Sequence, residues 1–316
     1  MKYLITGFSG FVAKHYLDFL ESKNENISVL GLDVTEPKKS YYEYSNLEIN
    51  FKKVDLLNES EVNDVIVDYK PDLIVHLAGI SSVAYSWKHP ALCFKNNTFI
   101  FLNVLEAIRN NNLKCRILSV GSSEIYGNVN EKLLPLVEDM SIAPINPYAI
   151  ARLSQESLAK IYVASYSQDI IITRSFNHIG PGQNENFVIP SIIKKLIDIM
   201  QSGLNNVVLN TGDLTIIRDF LDVRDVVKAY DLLLNNGQKG EIYNICSGKG
   251  VTLNHVVDII ERQLKIKVKR EVDPSLLRPD DNRAIVGSFD KIKKHVGWQP
   301  FIDIETTIND VITSYA

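Results

Sequence analysis

A tyrosine followed four positions later by an arginine, Tyr148 and Arg152 in the stretch INPYAIARLSQE, could carry acid–base chemistry. On a helix that spacing puts both side chains on one face, where their tips can meet. A cation beside a phenol favours the phenolate and tunes the tyrosine as a proton carrier. Many hydride-transfer enzymes use such a pair with lysine in the second place. Arginine brings the same charge on a longer, flatter and differently hydrated group. We read Arg152 as a working substitute, and expect a lysine there to retain much of the activity; the alternative is a pairing of Arg152 with Glu156 one turn along. Upstream, SVGSSEIYG contributes Ser122, Ser123 and Glu124. A hydroxyl there can hold a sugar oxygen and a carboxylate can act as a base or orient a substrate. Alone the stretch would be a capped turn, but its order before PYAIAR favours the functional reading.

The second chemistry-bearing stretch is LITGFSGFVA, with Gly7, Gly10 and Ala13 between a strand and a helix. The first glycine permits a tight turn, the second lets backbone approach a pyrophosphate, and the helix start offers aligned N–H groups. Phe11 and Val12 open that helix and join the same binding set. The next strand ends in LGLDV, and Asp33 stands where an acidic side chain can accept hydrogen bonds from an adenosine ribose. It would repel a 2′-phosphate, so NAD is expected rather than NADP; otherwise Asp33 is a turn cap. Asp55 and Leu56, in KKVDLL, are expected near the adenine, and Ala78 and Gly79, in HLAGI, near the middle of the cofactor.

These residues need a scaffold. KYLIT, ISVLGL, INFKKV, DLIVHLA, RILSVGS and DIIITRS read as strands, and FVAKHYLDFLES, SEVNDVIVDY, FIFLNVLEAIRNN and AIARLSQESLAKIYVASY as helices. Such alternation predicts an α/β fold with a doubly wound parallel (Rossmann) sheet, which binds ligands at the carboxyl ends of its strands. After about residue 176 loops such as FNHIGPGQNEN and DPSLLRPDDNR appear, mixed with the helices VIPSIIKKLIDIMQ and LNHVVDIIERQL. A smaller, interleaved α/β substrate domain is expected there. Residues 1–175 would bind the dinucleotide, with 215–247 returning to that domain, and 176–214 and 248–316 would form most of the second.

The chain has 316 residues and a net charge of −4, with 34 basic and 38 acidic residues and no long run of one sign. That balance argues against nucleic-acid or membrane partners and for a small-molecule ligand. Three scattered cysteines suit neither a disulfide framework nor a metal site and fit a reducing compartment. No apolar stretch approaches a membrane span and the first residues do not read as a leader, so a cytoplasmic protein is expected.

TGFSGFVA, LAG, GSSEIYG, PYAIAR, RSFNHIGPGQ, RDFLDVRDVVKAY, YNICSG and GWQP, spread over nearly the whole chain, resemble the extended short-chain dehydrogenase/reductases that act on nucleotide sugars. FNHIGPGQ with GSSEIYG is similar to the branch holding GDP-mannose 4,6-dehydratases and GDP-4-keto-6-deoxy-D-mannose reductases. The reductases look closer, because the chain lacks a long basic insertion after the second strand. The resemblance implies that Ser122, Tyr148 and Arg152 fill the places of a Ser/Thr–Tyr–Lys triad. It implies that Asn177 contacts a substrate diphosphate, that Arg218 and Arg278 clamp it, and that Ser123 and Val188 line the substrate site. Arginine suits phosphate through its planar fork. The bland readings are an ion pair of Arg218 with Asp219 or Asp222, and a solvated loop charge for Arg278. His178 is balanced between acid–base work and bracing backbone carbonyls. No cysteine occurs in GSSEIYG, which counts against C3/C5 epimerisation.

The implied activity is NAD(H)-dependent reduction of a nucleotide-linked 4-keto-6-deoxy sugar. The alternatives are a 4,6-dehydratase in which Glu124 removes the C5 proton, a C4 epimerase, and a non-catalytic nucleotide-sensing module. The resemblance also implies a homodimer in which FIFLNVLEAI and the helix from Tyr148 pair with their symmetry mates through Phe99, Phe101 and Leu153.

Overall fold

The computed structural model describes residues 1–201, 208–277 and 282–315. The apolar runs form strands β1 (Lys2–Thr6), β2 (Ile27–Asp33), β3 (Leu47–Lys53), β4 (Leu73–His76), β5 (Arg116–Ser122) and β6 (Asp169–Ser175). Between them lie helices α1 (Phe11–Ser22), α2 (Glu59–Tyr69), α3 (Val83–Lys88), α4 (Pro90–Phe94), α5 (Ile100–Asn110) and α6 (Pro147–Tyr166). The rest comprises β7 (Asn177–Ile179), α7 (Val188–Gln201), β8 (Val208–Thr211), β9 (Ile217–Asp222), α8 (Val223–Asn236), β10 (Ile242–Ile245), β11 (Gly250–Thr252), α9 (Leu253–Leu264), β12 (Lys269–Val272), β13 (Ala284–Ile285), α10 (Asp290–Val296) and α11 (Ile304–Thr313).

Seven strands make one parallel sheet in the order β10-β6-β5-β4-β1-β2-β3. β1 has β2 on one side and β4 on the other, so the winding reverses there and a crevice opens at the carboxyl ends of β1 and β4. Apolar side chains fill both faces: Tyr16, Leu17 and Leu20 of α1 pack with Val226 and Tyr230 of α8. On the other face Val62 and Ile66 of α2 pack with Val104 and Ile108 of α5. The alternating strands and helices follow from this two-sided burial.

A second body has its own core, in which Ile189 and Ile193 of α7, Val256 and Ile260 of α9 and Ile308 of α11 meet. Its β9 pairs with β7, β11 and β13, while β8 pairs with β12. The backbone of β9 is taken up by the second sheet, and from Val223 onward α8 packs in the core of the large sheet. Phe101, expected at the surface, is instead fully buried, its ring centroid 4.9 Å from that of His76. No helix among the described residues is long and apolar enough to cross a membrane.

Candidate active site

The turn after β1 is built by Gly7, whose φ of +68° lies in the left-handed region that favours glycine. A methyl group there would stand 2.8 Å from the Ala78 nitrogen, so the turn and the end of β4 fit only because the side chain is missing. Gly10 caps α1 without any side-chain hydrogen bond, leaving the uncapped helix start facing the crevice with Phe11 and Val12 beside it. Asp33 accepts the Ser9 N–H at 3.0 Å and the Thr35 N–H at 3.0 Å. It thus braces the glycine turn, as a cap does, while also lining the crevice. Each carboxylate oxygen has a further lone pair for a ribose hydroxyl. Asp55 likewise accepts the Leu57 N–H at 3.0 Å and lines the crevice with Leu56. Gly79, with φ +148°, lies so close to Asn97 that an added methyl would sit 2.3 Å from its Oδ1. That buried Oδ1 has no hydrogen-bond partner. A cradle closed to side chains, an uncapped helix start, an acidic acceptor and an unsatisfied buried acceptor fit a dinucleotide.

The crevice widens into a cavity of about 950 Å³ between the two bodies. At its centre Arg152 Nε donates to Tyr148 Oη at 3.3 Å, both residues being buried. The guanidinium also donates from Nη1 to Val120 O at 3.2 Å and to Gln155 Oε1 at 2.8 Å. Glu156 does not serve as its partner, because that carboxylate is held by Arg174 at 2.9 Å and Lys160 at 2.8 Å. Burial works against the Glu156 charge, but the hydrogen bonds and charges of Arg174 and Lys160 together outweigh it, holding the carboxyl below the usual range. Tyr148 enters from the first turn of α6, where its N–H donates to Ser86 Oγ at 3.2 Å. Asn146 caps that helix through the Ala149 N–H at 2.8 Å, and its Nδ2 donates to Glu124 Oε2 at 3.1 Å.

Ser122 ends β5, and its Oγ accepts the Glu124 N–H at 3.2 Å. Ser122, Glu124, Tyr148 and Arg152 all line the cavity. Ser123 is buried in the short turn Ser123–Tyr126 that follows. Asn177 and Val188 line the far part, as does Arg218, whose Nη1 donates to Ile217 O at 2.9 Å and Asn282 O at 2.7 Å. The two carboxylates weighed as its ion-pair partners are engaged elsewhere. Asp219 accepts from Ser247, Gly248 and Gly287, and Asp222 from Arg224 and Thr307. Arg278 lies outside the described residues. His178 Nδ1 bonds to Phe176 O at 3.2 Å, and its ring lies nearly parallel to Phe11 at 6.3 Å. Burial pushes its pKa down, and the ring lines the cavity.

Several lining or supporting residues were not singled out from the sequence. Lys195 shares one face of α7 with Val188, Ser191 and Ile192, all of them lining the cavity. That helical spacing was readable. Asn97, Ser86 and Gln155 act through tertiary contacts that no local pattern announces, whereas Asn146 before Pro147 is a readable helix cap.

A model of the GDP-mannose 4,6-dehydratase family matches residues 4–311. The chain belongs to this family. Among its relatives, GDP-6-deoxy-D-mannose reductase of Pseudomonas aeruginosa is 30% identical over 98% of this chain and 96% of that protein. The solved structure of RMD from Pseudomonas aeruginosa, complexed with NADPH, superposes with a TM-score of 0.86 at 30% identity, covering 99% of this chain and 98% of the other. UDP-glucose 4-epimerase of Thermotoga maritima, solved with UDP-glucose, gives a TM-score of 0.88 at 26% identity, covering 100% and 98%. The family's reductases, dehydratases and epimerases share this Rossmann scaffold and act on nucleotide sugars with NAD(P).

Proposed function

We propose that this protein reduces a GDP-linked 4-keto-6-deoxyhexose at C4 with NADH, giving a GDP-6-deoxyhexose of the rhamnose type. The observation that carries the reading is the Arg152 to Tyr148 contact of 3.3 Å, in a cleft that begins at the glycine turn and also holds Ser122 and Glu124. The reductase relative supports the direction of the reaction. Gly7, Gly10, Asp33, Asp55, Ala78 and Gly79 would hold the dinucleotide, which when bound supplies a hydride from its nicotinamide C4. Tyr148 delivers the proton to the oxygen formed at C4. Ser122 Oγ already accepts a backbone N–H, so its own hydrogen is left to donate to that oxygen. Arg152 Nε, donating to Tyr148 Oη at 3.3 Å, holds that hydroxyl in place. The large sheet would bind the dinucleotide and the second body the nucleotide sugar, with Asn177 and Arg218 on its diphosphate.

A second reading, 4,6-dehydration, draws on Glu124, which lines the cleft and receives Asn146 Nδ2 at 3.1 Å, a place from which a base could take the C5 proton. Product NMR after incubation with GDP-4-keto-6-deoxymannose and either NADH or NADPH separates the two. Reduction requires one NADH consumed per new C4 hydroxyl. NADH should be preferred by about tenfold or more, since Asp33 would repel a 2′-phosphate and a ribose hydrogen bond would be lost. Equal or tighter use of NADPH would show that Asp33 serves the turn alone. Conversion of GDP-mannose without added cofactor would install the dehydratase reading, and no turnover of either sugar would favour a nucleotide-sensing module.

A further inference from the structure

Arg152 divides its guanidinium among three directions. Nε meets Tyr148, Nη1 meets Val120 O and Gln155 Oε1, and Nη2 makes no hydrogen bond among the described residues. Nη2 is the nitrogen nearer Gly79, 3.1 Å from where a methyl on that glycine would sit, and so points along the cradle for the cofactor. Because a guanidinium is planar, fixing one tip and Nε fixes the third nitrogen as well.

Gln155 is what fixes the tip. It is only 1% exposed, and its Nε2 donates to Ser119 Oγ at 3.0 Å and Val120 O at 3.2 Å. With both amide hydrogens used on β5, the amide can turn only its oxygen toward Arg152. A glutamine in a helix would ordinarily face water. Here it is buried one turn beyond the arginine, on the same face as Tyr148 and Arg152.

We propose that Gln155 is a positioning residue matched to Arg152, and that the pair lets an arginine do the work usually given to a lysine. A lysine Nζ occupies the chain position of the arginine Cζ, one bond short of Nη1. It can approach Tyr148 but not Gln155, leaving Oε1 buried without a partner. The expectation that lysine would simply restore function is therefore reversed: Arg152→Lys alone is impaired, and Gln155→Met relieves it. The inference rests on the reading that Tyr148 and Arg152 form the reacting pair.

The test is a double-mutant cycle of Gln155→Met and Arg152→Lys, with thermal melts to confirm folding. In the Arg152 background, Gln155→Met should lower kcat about tenfold or more with KM nearly unchanged, as the guanidinium loosens from Tyr148. In the Arg152→Lys background the same change should raise kcat. Equal, additive losses in both backgrounds would reduce Gln155 to a packing residue and overturn the proposal. If Gln155→Met does not fold, Arg152→Lys alone decides: a loss of about tenfold supports the match, and full activity overturns it. Calorimetric titration of the four proteins with NADH follows the same cycle without turnover. It decides the role of Gln155 even if no 4-keto sugar is reduced, a result that would count against the proposed function only.

Discussion

A guanidinium only 5% exposed is tolerated at the head of β5 because its neighbours are acceptors or stay neutral. His76 shows how strictly the second condition holds. Burial, and after it the Arg152 cation, push its pKa down to about 3. Its Nδ1 pairs with Thr6 Oγ1 at 3.0 Å while Nε2 has no partner. An unfolded chain takes up a proton near the ordinary histidine value of about 6.5, whereas the folded one resists it. The native state thus binds fewer protons, and stability present above about pH 6.5 is lost as the pH falls toward the folded pKa. This one residue should cost about 1.4 kcal/mol of stability per pH unit between roughly pH 6 and 4. Denaturant unfolding of the wild type and of His76→Asn across that range checks it. His15 and His178 also have lowered pKa values through burial, so both proteins will lose stability, but the wild type faster. Parallel curves would mean that His76 takes up its proton in the folded state.

At the scale of the element, α6 delivers the site. Tyr148, Arg152 and Gln155 recur at intervals of four and three on the face turned to β5, while Glu156 ties the helix to Arg174 of β6. Asn146 sets the start of this helix and touches Glu124, so one side chain registers the tyrosine against the carboxylate. Asn146→Ala should cost about 1 kcal/mol of stability, as a lost N-cap does. It should also lower kcat. Asn146→Ser restores a capping oxygen without the Nδ2 donor, and should recover the stability but not the rate. Recovery of both would show that the Glu124 contact has no part in turnover. The periodicity of α6 was legible, as were the bounds of α1, α7 and α9, because their apolar stripes face large cores. The helices α3 and α4 were not, being single turns separated at His89 by the proline that follows. Nor was β13, two residues long, which exists only because Ala284 and Ile285 meet Ile217 and Arg218 from far along the chain. In the site, the types and order of Ser122, Glu124, Tyr148 and Arg152 carried the reading.

For the whole molecule, the outer face of α6 raises the question of what covers it. Ile150 is 48% exposed and Ile161 53% exposed, with partly buried Leu153 between them at helical spacing, and Phe99 at the start of α5 is 48% exposed. Single apolar side chains at a surface need no explanation, but a stripe along one helix with an aromatic on its neighbour marks a contact surface. We propose that α5 and α6 pair with their symmetry mates as a four-helix bundle, an arrangement in which the same patch serves both copies. Because Phe101 is buried beneath α5, Ile150 and Ile161 would take the role expected of it. Ile161→Asp introduces a charge that dimerisation would have to bury against an apolar mate, and should shift the sedimenting species from dimer to monomer. Ile161 lies about two and a half turns beyond Arg152 and on the opposite side of the helix from it, so the variant should still bind NADH. A wild-type protein that sediments as a monomer at every concentration would leave the stripe as solvent-exposed surface. A dimer unaffected by Ile161→Asp would move the interface to another face.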